Sequence, residues 1–337
     1  MELNFSGHAT RVVVVEEASQ VGQVRREAVA LAQAAGFDEV DAGRVALAAT
    51  EMATNVIKHG RGGRVLLSTV CGRSGLGVEL SAQDQGPGFS LAECLPDGYS
   101  TGGTQGQGLG AIQRQAAVLD LWSDAKGSVL VARIYASNAA RGTDVPYGAL
   151  RVPMRHELVC GDAWHLHAHD GAVAVTLIDG LGHGLQASEA AQAGVAVAAQ
   201  RGALGAAELV TALHAGMSGT RGGAAAVASI RGNGDLEFAG VGNIAASLCE
   251  PDGSRGMASH PGIVGVQFRK AHPFNFHAAT GTLLIMHSDG LQGRWNLRDY
   301  PGLLFRHPAV IVAVLQRDFD RGRDDASIVA LRLGDLH

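Results

Sequence analysis

Hydrophobic and polar positions fall into a different rhythm in each half of the chain. The first half opens with an apolar strand, "RVVVV" at 11–15, followed by helical spacing over 19–35 and 38–59. Strands at 64–70 and 75–83 come next, then a glycine-rich loop, a helix from about residue 109, and strands near 119–123 and 128–135. In the second half the pattern predicts strands near 172–178, 224–230, 236–241, 245–250, 282–287 and 327–333. Helical spacing there covers 184–200, 206–216 and 308–320. Many strands with grouped helices predict sheets covered by helices, not a strict βαβ alternation. Between the halves, "ASNAARGTDVPYG" at 136–148 is small, polar and carries Gly and Pro, which places a boundary near residue 145. The expected organisation is one domain over 1–138, a linker over 139–148 and a second domain over 149–337.

Composition agrees with two ordinary domains: 337 residues, 46% hydrophobic, and 47 glycines without a collagen-like period. The net charge of −5 and the lack of a Lys/Arg run argue against nucleic acid as a partner. The first residues, "MELNFSGHATRVVVVEE", have no basic segment leading into an apolar core and do not read as a signal peptide. The Ala-rich stretch after Gly184 is interrupted by Glu189, Gln192, Gln200 and Arg201, so no membrane span is expected. Cys71, Cys94, Cys160 and Cys249 lack metal-ligand spacing and read as reduced thiols of a cytoplasmic protein.

Three segments of the first half carry candidate chemistry. In "EMATNVIKH", Glu51 and Asn55 are one helical turn apart and share a face, with Ala46, Leu47, Ala49, Met52 and Ile57 available for the apolar side. The carboxamide oxygen of Asn55 is a hard ligand suited to Mg2+, and the carboxylate of Glu51 can take a proton from an attacking hydroxyl. Taken alone, the pair reads more readily as a solvated Glu/Asn pair. In "SAQDQGPGF", Asp84 ends a strand and can accept a hydrogen bond from an exocyclic amine, while Gly86 and Gly88 let backbone approach a flat ligand. In "STGGTQGQGLGAIQRQA", Gly106, Gly108 and Gly110 precede or open a helix at Leu109, whose first N–H groups offer a phosphate site.

Together and in this order the three segments resemble the N, G1 and G2 boxes of the GHKL (Bergerat) ATPase superfamily. They are closest to the small serine kinases of bacterial stress signalling, the RsbT and RsbW types. The resemblance covers about residues 10–136. It implies ATP and Mg2+, an α/β sandwich, and phosphorylation of a serine or threonine on a STAS-domain partner. It also implies that Asn55 holds Mg2+, Glu51 is the base, Asp84 reads adenine, and Gly86, Gly88, Gly106, Gly108, Leu109 and Gly110 shape the pocket, with Lys58 and His59 as lining residues.

The second half raises a different question. In "VTLIDGLGHG" an apolar run ends in Asp179, and glycine then fills every second position at Gly180, Gly182 and Gly184. "LVCGDAW" places Asp162 after a short apolar run, "LLIMHSDGL" ends a run in Ser288, Asp289 and Gly290, and "RDDASIVALRL" places Asp324 and Asp325 before a final strand. If these strand ends converge, they form an oxygen-rich pocket for hard divalent ions. Two such ions about 3.5–4 Å apart activate a water for attack on phosphorus. Singly, each Asp reads as a turn or a helix cap.

The order "GD…DGLGHG…SDGL…DD" resembles the PPM-type serine/threonine phosphatases, closest to the SpoIIE and RsbX branch, over about residues 150–335. The resemblance implies an αββα sandwich and two Mn2+ or Mg2+ ions. Asp179 and Gly180 would bridge them, and Asp162, Asp289 and Asp324 would complete the site, with Asp325 the lesser member of its pair. "WHLHAHD" places His165, His167 and His169 on one face of a strand, read as a solvated or edge face in preference to a zinc site. His183 reads as lining the pocket.

The combined expectation is a bifunctional regulator that adds phosphate to STAS-domain partners with one half and removes it with the other. The second reading is an ATP-binding partner switch of the anti-sigma type, without kinase activity, joined to an active phosphatase.

Overall fold

The computed structural model describes residues 2–88, 108–139 and 142–334. In chain order the elements are β1 (Leu3–Ser6), β2 (Arg11–Val15), α1 (Ala18–Ala34), α2 (Glu39–Lys58), β3 (Gly63–Gly72), β4 (Gly75–Asp84), α3 (Gly108–Gln115), β5 (Val118–Asp124) and β6 (Gly127–Tyr135). They continue as β7 (Tyr147–Val152), β8 (Asp162–His169), β9 (Ala172–Gly180), α4 (Leu185–Arg201), α5 (Ala206–Gly216), β10 (Gly223–Ile230), β11 (Asp235–Val241), β12 (Ala245–Glu250) and β13 (Gly253–Met257). The chain closes with β14 (Phe274–His277), β15 (Leu283–His287), α6 (Pro308–Phe319) and β16 (Ala326–Arg332). Among the described residues no helix is long and apolar enough to cross a membrane.

The chain divides into two compact units, Thr10–Val145 and a second built from Met1–Ala9 with Pro146–His337. Within Thr10–Val145 an antiparallel sheet runs in the order β2-β3-β4-β6-β5. Asp38 caps α2 by accepting the Asp41 N–H at 2.8 Å, and Glu39 and Asp41 in its first turn and Lys58 in its last complement the helix dipole. The helix therefore starts where the sequence predicts and stays unbroken through the candidate pair. Its buried side, Val45, Ala49, Met52 and Val56, packs with Val24, Ala28 and Leu31 of α1 over Val65, Leu67, Val78, Leu80, Ala132 and Ile134 of the sheet. Leu47, expected on the apolar side, is instead 42% exposed, because the helix turns Ala48 and Ala49 inward. Arg44 ties α2 to the end of α3 through the Gln115 carbonyl at 2.7 Å.

The second unit has a six-stranded sheet, β1-β8-β9-β10-β11-β14, and a five-stranded sheet, β13-β12-β15-β16-β7. Helices α4 and α5 pack on the first sheet and α6 on the second, while β7 and β16 approach β8 between the sheets. The result is an αββα sandwich, with Trp164 of β8 and Tyr147 of β7 meeting at 5.9 Å between ring centroids.

Two sequence expectations need correction. Residues 1–9, given to the first domain, belong to the second, because β1 pairs with β8 in the register Leu3↔Ala168 to Ser6↔His165. There Leu3 and Phe5 are buried, and Phe5 meets Trp164 edge-on at 5.7 Å. The division at Val145/Pro146 falls where the sequence places it; just before it, Arg133, fully buried and paired with Glu79 at 2.7 Å, also donates to Asp144 and to the Val145 carbonyl. β8 is not an edge strand, since β1 pairs alongside it; on its histidine face His165 is buried, with its Nδ1 bonding Ser6 Oγ at 2.8 Å, and His167 is half-buried, while His169 is exposed as expected.

Candidate functional site

In the unit Thr10–Val145 the structure gathers the first set of predicted residues at one end of α2. Glu51 and Asn55 both face the start of α3. A Cβ on Gly108 would stand 2.6 Å from Glu51 Oε2 and 3.9 Å from Asn55 Nδ2, so glycine is what admits the carboxylate there. Gly108 and Leu109 open α3, and Gly110 is buried within it. Asp84 ends β4, and its Oδ1 accepts the Gly86 N–H at 2.8 Å and the Ser128 N–H at 3.2 Å. The Gly86 turn lies against the C-terminal end of α2: a Cβ on Gly86 would meet the His59 carbonyl at 2.7 Å. Gly88 has φ +78°, the left-handed conformation that glycine adopts without strain. Lys58 is the exposed last residue of α2. Gly106 lies outside the described residues.

In the second unit, strand direction explains how distant acids meet. Asp162 begins β8 and Asp179 is the last residue but one of β9; the strands are antiparallel, and the two residues are direct partners in register. Asp289 lies just past the end of β15, and Asp324 just before β16. Ser288 links the two sheets at this end. Its Oγ donates to Asp162 Oδ2 at 2.6 Å and accepts the Ser327 N–H at 2.9 Å. Asp289 Oδ2 accepts from Asn243 Nδ2 at 2.7 Å.

The adjacent pair Asp324 and Asp325 divides by environment. Asp325 is buried, and its two oxygens accept the Met154 and Gly161 N–H groups, each at 2.8 Å. It clamps the loop before β8. Asp324 is half-buried, and its Oδ1 accepts the Asp325 N–H at 2.9 Å. Gly180 is closed in by backbone, since a Cβ there would lie 2.2 Å from the Ala187 carbonyl of α4. His183 does line this region, with Nδ1 2.7 Å from Glu157 Oε1.

Electrostatics mark the same place. Burial first, then the charges of Asp162, Asp289, Asp324 and Asp325, push Asp179 up to about 9. Burial pushes Asp162 up to about 7 against the Ser288 hydrogen bond, with Asp325 and Asp324 adding to the rise. Asp324 is raised too, chiefly by burial. Hard oxygen donors that raise one another's pKa are the donor set a dication neutralises, so the residues present fit Mg2+ or Mn2+. Among the described residues, no three His, Cys, Asp or Glu side chains are already drawn to a common metal-binding spacing.

Asn243, Glu157 and Ser128 escaped the sequence reading as site residues. Their only signal is an Asn, Glu or Ser beside a glycine or a turn, and their partners are 46, 26 and 44 residues away.

Comparisons with known proteins bear first on the unit Thr10–Val145. Residues 14–134 match the family described as the histidine kinase-like ATPase domain, and the first unit is such a domain. The serine/threonine-protein kinase RsbT of Bacillus subtilis (strain 168) is 34% identical over 85 residues, which span 25% of this chain and 64% of that protein. The matched part is thus just under two thirds of RsbT. A chain from the solved structure on the bacterial stressosome, "a modular system that has been adapted to control secondary messenger signaling", is 26% identical with a TM-score of 0.52, covering 56% of this chain and 98% of that one. The crystal structure of RsbX in complex with magnesium is 20% identical with a TM-score of 0.47, covering 54% of this chain and 92% of that one.

Proposed function

We propose that the protein is a bifunctional partner-switch regulator, with an ATP-dependent serine/threonine kinase half and a metal-dependent phosphoserine/phosphothreonine phosphatase half acting on STAS-domain proteins. The observation that carries the phosphatase half is the register of Asp162 opposite Asp179, with Asp289 and Asp324 at the same strand ends. Asp162, Asp179, Asp289, Asp324 and the Gly180 carbonyl would hold two Mn2+ or Mg2+ ions, which supply positive charge and lower the pKa of water for attack on phosphorus. Ser288 keeps one Asp162 oxygen turned toward the second sheet, and Asn243 holds Asp289.

In the other half, Asn55 would hold the Mg2+ of ATP, Glu51 would take the proton of the attacking hydroxyl, and Asp84 would accept from the adenine amine. The likeness to RsbT supports transfer to a serine or threonine, and the likeness to a stressosome chain supports STAS-type partners.

The test is the intact mass of a STAS protein encoded beside this gene. Incubation with ATP and Mg2+ should add one phosphate, and removal of ATP with addition of Mn2+ should take it off. Asn55→Ala should lose only the gain, and Asp179→Asn only the loss. If either substitution abolished both in a folded protein, two independent sites would be the wrong description. Nucleotide-dependent binding with no gain in mass would favour a switch without kinase activity.

A further inference from the structure

Exposed large hydrophobic side chains are unevenly placed in the second unit. Among the described residues five are present there: Leu158, Leu181, Leu185, Val266 and Phe305. Four of them ring the acidic strand ends. Leu181 follows Gly180 directly, and its N–H donates to the Gly222 carbonyl at 2.9 Å. Val266 reaches the same point, since a Cβ on Gly222 would stand 2.8 Å from Val266 Cγ2. Leu185 opens α4 just after Gly184, and a Cβ on Gly184 would stand 3.3 Å from Glu157 Oε2. Glu157 precedes Leu158, which is 96% exposed, and holds His183 of the glycine turn.

A cluster of solvent-facing aliphatic side chains around a polar pocket marks a protein-docking rim. Charge completes the picture. A Cβ on Gly182 would stand 3.4 Å from Arg221 Nη1, so this guanidinium hangs beside the turn, and among the described residues no carboxylate pairs with it. A surface that offers aliphatic contact and one unpaired cation complements an apolar segment bearing a phosphate.

We infer that Leu158, Leu181, Leu185 and Val266 form a docking rim that selects phosphoproteins whose phosphorylated serine or threonine is flanked by aliphatic residues. This inference rests on the phosphatase reading and adds the substrate class. The rim acts on recognition and leaves the metal-holding carboxylates untouched.

The test uses the full chain with Mn2+ and three substrates: p-nitrophenyl phosphate, a phosphoserine nonapeptide flanked by leucines, and the same peptide flanked by serines. Wild type should favour the leucine peptide by about tenfold or more in kcat/KM, expressed mainly in KM. The variant Leu158→Ser/Leu185→Ser/Val266→Ser should lose that preference while hydrolysing p-nitrophenyl phosphate at the wild-type rate, which also certifies that it is folded. Equal kcat/KM for the two peptides in wild type, or a preference that survives in the variant, overturns the docking rim. Hydrolysis of none of the three substrates by wild type overturns the phosphatase reading beneath it.

Discussion

Replacing the central acid of the proposed metal site should make the metal-free protein more stable. Asp179 is largely enclosed, faces Asp162 in register, and is raised from 3.8 to about 9 by burial and by four neighbouring carboxylates. Its folded-state pKa lies above its unfolded one. Its contribution to stability is therefore fully present below about pH 3.8, declines as pH rises, and is gone above about 9. At pH 8 the wild-type fold must hold either a proton or a crowded charge, whereas Asn at the same position is nearly isosteric and neutral. With one pKa unit worth about 1.4 kcal/mol, relief of this repulsion is expected to stabilise Asp179→Asn by about 2–4 kcal/mol at pH 8 in EDTA. The gap should shrink toward pH 4, where the unfolded chain is protonated at this position as well as the folded one. Thermal melting in EDTA at pH 5, 6.5 and 8 measures this, followed on the transition that Mn2+ shifts. Adding Mn2+ should narrow the gap and then reverse the order, because a ligand stabilises only the protein that binds it, by about 2.7 kcal/mol at 100 times its Kd and about 4.1 kcal/mol at 1,000 times. A variant less stable than wild type in EDTA at pH 8, or a difference independent of pH, would refute the crowded-carboxylate argument.

Four further outcomes follow from named contacts. Ser288→Ala removes a hydrogen bond that lowers the Asp162 pKa, so the pH at which Mn2+ binding is half lost should rise by about 1–2 units, read by calorimetric titration across pH. Asp325→Ala strands two buried N–H groups and should cost about 2–5 kcal/mol in urea unfolding, whereas Asp324→Asn should leave stability near wild type and weaken Mn2+ binding. Gly108→Ala should displace the Glu51 carboxylate, lowering phosphate transfer at least about tenfold with ATP affinity and melting temperature little changed, since alanine suits a helix better than glycine. Deleting residues 1–9 removes β1 with its buried Leu3 and Phe5, leaves β8 unpaired on that side and exposes Trp164; the second unit should lose about 3–5 kcal/mol while ATP binding by the first persists.

Much of this molecule is written locally in its sequence. The helices α2 and α5, the strands β9 to β12 and the one-turn spacing of Glu51 and Asn55 follow from periodicity and caps. So does the placing of Asp179 at a strand tip, because side-chain alternation and turn chemistry involve only neighbours. The sequence also marks Asp162, Asp289 and Asp324 as acids beside apolar runs. What it does not contain is which strands lie side by side. β1 joins β8, and β7 joins β16, across well over a hundred residues, so the unit boundary and the burial of His165 come only with the assembled sheet. The division of labour within Asp324–Asp325 is of the same kind. It depends on N–H groups of Met154 and Gly161 more than 160 residues away, delivered to one carboxylate by the sheet and not to its neighbour. Local pattern fixes what each strand end carries; sheet order fixes which strand ends meet, and a pocket made of single residues from distant strands exists only once they do.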